Sequence, residues 1–124
     1  MKYFTVACLC GALLIGLGIT RLSASDDDEP KYQIKQVMKK AMKGGLKSKV
    51  AKGQASDAEK KQLLEMFQSL AKCKPPKGDA ESWKKFTGGL VSAAQACVDG
   101  DADAGAKLNK AANCRACHTK HKGK

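Results

Sequence analysis

The sequence predicts an all-α protein, an up-down-up-down antiparallel four-helix bundle. Three observations carry that expectation. Apolar residues recur at three- and four-residue spacing through four stretches, whereas no stretch of any length alternates with the two-residue period of a strand. Glycine, proline and acidic turn signals separate the stretches. The connections are only a few residues long, which forces consecutive helices to run antiparallel. At 124 residues the chain supports one small domain.

The first helix is expected from about Lys31 to Lys52. Ile34, Val37, Met38, Ala41, Met42, Leu46 and Val50 form its apolar stripe, and most of its lysines fall outside that stripe. Gly53 stops it. The second begins at Ser56, because Ser56-Asp57-Ala58-Glu59 reads as a capping box whose hydroxyl and carboxylate satisfy amides lacking intrahelical partners. Leu63, Leu64, Phe67, Leu70 and Ala71 mark its buried face, and Pro75-Pro76-Lys77-Gly78 ends it. The third starts near Asp79 and carries Trp83, Phe86, Leu90, Ala93, Ala94 and Cys97 on one stripe, with Gly88 and Gly89 weakening it locally. After the Asp99-Gly100-Asp101 turn, a fourth helix is expected from about Ala102 to His121.

Residues 1–25 read as a leader rather than as part of the domain. Met1-Lys2 gives a basic start, Val6 to Ile19 an apolar core, and Ser23-Ala24-Ser25 a small-residue cleavage site ahead of Asp26-Asp27-Asp28-Glu29. The apolar run is shorter than the roughly 20 residues of a membrane-spanning helix. Export to the periplasm or beyond, with a mature domain of residues 26–124, is therefore expected; an uncleaved N-terminal anchor is the alternative. Of the formal net charge of +11, Lys2 and Arg21 contribute two, so the mature region keeps about +9. The lysines are scattered over helix faces with almost no aromatics between them, which argues against a nucleic-acid surface. A solvated surface and the steering of an acidic redox partner both remain open.

Of six cysteines, Cys8 and Cys10 leave with the leader, and Cys73, Cys97, Cys114 and Cys117 stay. Two disulfides would be the first thought for a small exported chain. The spacing of the last two argues otherwise, because Cys114-Arg115-Ala116-Cys117-His118 is C-x-x-C-H, the attachment signature of haem c. Two thiols three residues apart on one helical turn can each add across a haem vinyl group, and the adjacent histidine can then donate a ring nitrogen to iron. Zinc held by Cys114, Cys117, His118 and His121 is an alternative, but ligands so crowded on one helix cannot easily surround a metal tetrahedrally. Thiol redox is another, although such motifs open a helix that follows a strand, whereas this one is expected near the end of its helix. Cys73 and Cys97 are expected at opposite ends of the bundle, too far apart to pair. His121 is expected to face solvent.

A C-x-x-C-H motif in the last helix of a four-helix bundle resembles the cytochrome c′ superfamily, the class II cytochromes c. The likeness extends to Tyr32-Gln33-Ile34-Lys35-Gln36-Val37-Met38, to the Lys52-Gly53-Gln54 turn and to Trp83 early in the third helix. The chain is shorter than most such proteins between its second and third helices. The resemblance implies one covalent haem on Cys114 and Cys117 with His118 on the iron, and dimerisation through the first two helices. Trp83 and Phe86 lie on the core stripe near the start of the third helix, level with the haem, and are expected either to pack beside it or to serve as ordinary core. The resemblance also places Met38 where low-spin members supply a methionine to the iron. Antiparallel topology puts Met38 level with His118, and Met42 lies about 6 Å further along. Core packing is the ordinary role of a helical methionine, so Met42 or no methionine at all stays open as the ligand. With Met38 bound, the expected function is one-electron transfer without catalysis; a five-coordinate iron that binds NO or CO is the alternative.

Overall fold

The computed structural model describes residues 29–124, and these form an all-helical chain without strands. The expected leader lies outside the described residues. Among the described residues no helix is long and apolar enough to cross a membrane.

Where four continuous helices were expected, there are six α-helices and one π-helical segment. The first stretch divides into α1 (Ile34–Val37), a π-helical segment (Met38–Lys43) and α2 (Leu46–Ala51). The break falls at Gly44-Gly45. Gly45 has φ +79°, a left-handed conformation that glycine alone adopts without strain, and from there it caps α2. The second and third stretches are intact as α3 (Asp57–Lys72) and α4 (Ala80–Asp99). The fourth divides into α5 (Ala104–Ala111) and α6 (Cys114–His121). Ala112 leaves helical geometry at φ −81°, ψ 51°, and the Asn113 side chain accepts from the Ala116 amide at 3.0 Å, starting a new helix.

The anticipated caps are present. Ser56 accepts from the Glu59 amide while the Glu59 carboxylate accepts from the Ser56 amide, a reciprocal box at the head of α3. Asp79 accepts from the Ser82 amide at 2.7 Å and opens α4. Gly88 and Gly89 sit inside an unbroken α4, held on both sides by buried Trp83, Thr87, Leu90, Ala93, Ala94 and Cys97.

Side-chain contacts fix the helix directions. At the start of the first stretch Lys31 pairs with Glu65 of α3, and towards its end Lys49 pairs with Glu59, so α3 runs back along it. Likewise Lys47 bonds Asn109, and Gly105 packs so close to the Ala51 carbonyl that a Cβ there would collide with it. Helix α5 therefore lies antiparallel to α2. Between these layers sits a core of Val37, Ala41, Val50, Leu63, Met66, Phe67, Leu70, Leu90 and Leu108.

The caps also predict behaviour in acid. Glu59 is held below the usual carboxylate range first by Lys49 and then by the Ser56 amide, Asp79 by the Ser82 amide, and Asp103 by Lys107. A carboxylate whose folded pKa lies below its unfolded value stabilises the fold above the unfolded pKa. That contribution disappears as pH falls through the folded value. Urea midpoints are thus expected to fall steadily as pH drops below about 4. Asp79→Asn, which can still cap but does not titrate, should shallow that fall; an unchanged slope would contradict the assignment.

Candidate functional site

Helix α6 places the Cys-x-x-Cys-His group at its own first turn rather than at the tail of a long helix. This corrects the expected placement and removes one argument against thiol redox. The other argument stands, since a loop and a helix precede the motif, not a strand. Burial raises the pKa of the Cys117 thiol, with neighbouring Cys114 adding to the shift, which leaves a protonated sulfur rather than the thiolate that exchange chemistry needs. Cys114 is exposed and donates to the Ala112 carbonyl at 3.5 Å.

Cys114, Cys117 and His118 line one wall of a cleft. Met38 and Met42, from the other end of the described chain, line it too. Trp83, Phe86, Thr87 and Leu90 of α4 and Leu70 of α3 contribute further wall residues, so the lining is almost wholly apolar. The sequence reading named Met38, Met42, Trp83, Phe86, Cys114, Cys117 and His118, and the fold gathers all seven here. It did not assign Leu70, Thr87 and Leu90 to the site; the helical stripes that carry Leu70 and Leu90 were the available signal. Met38 and Met42 stand four residues apart in the π-helical segment, share one face of the first stretch, and both reach the cleft.

His121 differs from expectation. It is only 2 % exposed, with Nδ1 2.8 Å from the Lys77 carbonyl and Nε2 3.0 Å from the Ser82 hydroxyl. Because a carbonyl only accepts, Nδ1 must carry the proton toward Lys77. Trp83 and Phe86 meet the imidazole edge-on, at centroid distances of 5.3 and 5.9 Å. Both ring nitrogens are thus engaged away from the cleft, which removes the fourth member of the zinc set. Among the described residues no group of three or more His, Cys, Asp or Glu side chains is arranged to hold a metal ion.

The donor chemistry suits a c-type haem: two thiols and an imidazole on one short helix, a thioether on the opposite wall, and apolar flanks. The cleft measures about 70 Å³, below the roughly 300–1,000 Å³ of ordinary ligand sites. A macrocycle would need this cleft to be wider than it is here. A larger concavity, about 1230 Å³, is a trough along α4 whose lining includes no imidazole.

Cys73 and Cys97 are separate, buried thiols. Cys73 donates to the Ser69 carbonyl at the end of α3, whereas Cys97 feels Lys60 near its start, so the length of α3 separates them. Burial raises the pKa of each. No family model, curated protein or solved structure matches the chain.

Proposed function

We propose that this chain is an exported mono-haem c-type cytochrome, a class II four-helix bundle that carries single electrons between protein partners. One observation carries the reading: a Cys-x-x-Cys-His helix and two methionines from the distant first stretch line one apolar cleft. The group supplies a reversible one-electron change at iron. The protein residues do the rest. Cys114 and Cys117 would tether it through their sulfurs, and His118 and Met38 would be the protein ligands that hold its iron, a ring nitrogen from one wall of the cleft and a thioether sulfur from the other. Trp83, Phe86, Leu70 and Leu90 exclude water, which limits the reorganisation that accompanies a change of charge. Protein ligands retained in both oxidation states would serve electron transfer better than catalysis. The lysine-rich surface suits an acidic redox partner, and self-association through the first two stretches belongs to the same reading.

Expression with and without c-type maturation tests it. With maturation, the protein should keep its colour through acid–acetone extraction, and Cys114→Ser with Cys117→Ser should lose it. Haem that extracts intact from the matured wild-type chain, or a matured chain that gains no haem mass, would overturn the proposal.

A further inference from the structure

Trp83 is the only tryptophan of the chain, and its indole N–H is buried without a hydrogen-bond acceptor. The residue is 5 % exposed and stands between the cleft and the trough along α4, lining both. Leaving such a donor unpaired forfeits its hydration with nothing in return, so a buried orphan of this kind is exceptional and points to a partner from outside the chain. No carboxylate lines the cleft. The nearby Asp79 carboxyl is already committed to the Ser82 amide, and the imidazole that touches Trp83 has both nitrogens engaged. The surroundings are cationic: Lys120 sits 5.8 Å over the Phe86 ring, and Lys84 and Lys85 follow Trp83 directly. An apolar wall with one unpaired donor and a positive surround suits an anionic acceptor.

We propose that Trp83 holds one of the two carboxylate side arms of the haem through its indole N–H. The inference rests on the haem reading above. It makes Trp83 a positioning residue that fixes the macrocycle's rotation in the cleft and withdraws charge from the carboxylate, which raises the reduction potential. Deleting the donor should make the carboxylate more basic and the ferrous form less favoured.

The test uses matured protein in which covalent haem has first been shown by mass, so a failure of the haem reading registers before this one is examined. Trp83→Phe keeps an aromatic body and loses only the donor. Its potential is expected to fall at neutral pH, and the carboxylate step in its potential–pH curve to move up by about one unit, a tenfold change in ionisation constant. Infrared spectra of wild-type protein with ¹⁵N-labelled indole provide a readout that needs no variant. The single N–H stretch should lie at lower frequency in the matured protein than in the haem-free chain. An unmoved potential–pH curve in folded, haem-bearing Trp83→Phe would overturn the proposal. So would an N–H stretch that stays at its free-indole frequency once haem is attached.

Discussion

Replacing Met38 with alanine is expected to turn a six-coordinate iron into a five-coordinate, high-spin one that binds CO. Met38 is half-buried, lines the cleft opposite the His118 helix, and opens the π-helical segment that aims it. The oxidised wild-type protein should show the weak far-red band of a thioether–ferric iron bond, and Met38→Ala should abolish it. Met42 shares the cleft but lies one turn further along, so Met42→Ala should keep the band and cost packing alone. That cost should be about 2 kcal/mol, the low end for Met→Ala, because the side chain is only partly covered. Loss of the band from Met42→Ala and its survival in Met38→Ala would move the ligand by one turn. A wild-type protein that is already five-coordinate would favour capture of small gases over electron transfer.

The second large effect is expected at His121. It is the one fully buried side chain of α6, which otherwise makes few contacts with the rest of the fold. His121→Ala removes the ring that packs against Trp83 and Phe86 and leaves the Lys77 carbonyl and Ser82 hydroxyl without their partner. Cavity and lost hydrogen bonds together should cost about 2–5 kcal/mol in the haem-free chain, a large share of the 5–15 kcal/mol that holds a small domain. The loss should be local. Amides of α6 are expected to exchange hydrogen rapidly while those of α3 and α4 stay protected. Gly78→Ala should act in the same direction, since Gly78 has φ +84° and a Cβ there would come 2.7 Å from the imidazole Nδ1. Uniform loss of protection across all helices would show that α6 is integral to the core rather than hung on it. Matured protein should suffer less, because thioether and iron bonds would tether α6 independently.

These cases show what could be read from the chain and what could not. Ser56, Asp79 and the Pro75-Pro76 pair act through their immediate neighbours, so their helix boundaries are legible locally. The two glycine pairs are harder. Gly88-Gly89 looks like a weak point and is not, because Trp83, Thr87 and Leu90 before and around it, and Ala93 and Ala94 after it, are all buried. Gly44-Gly45 received no weight, yet it ends the π-helical segment; only tertiary packing separates the two pairs. The joint at Ala112-Asn113 had a signal in Asn113, a good N-cap residue placed inside an otherwise helical pattern. His121 had none: its partners Lys77 and Ser82 are distant in sequence, and a terminal histidine after Lys120 looks solvated. The thiols and His118 could be read as one candidate group because they are contiguous in the chain. The cleft could not, since its far wall depends on how α3 and α4 cross the first stretch.

A π-helical turn contains one residue more than an α-helix needs, and that surplus has a genetic consequence. Deleting a single lysine from Lys39-Lys40 would remove that surplus and let the segment relax into ordinary helix, with the stretches on either side kept nearly in phase. Met38 and Met42 would then stand three residues apart instead of four, still neighbours on one helical face. The segment thus lets the chain lose one codon without turning either sulfur away from the cleft wall that both now line.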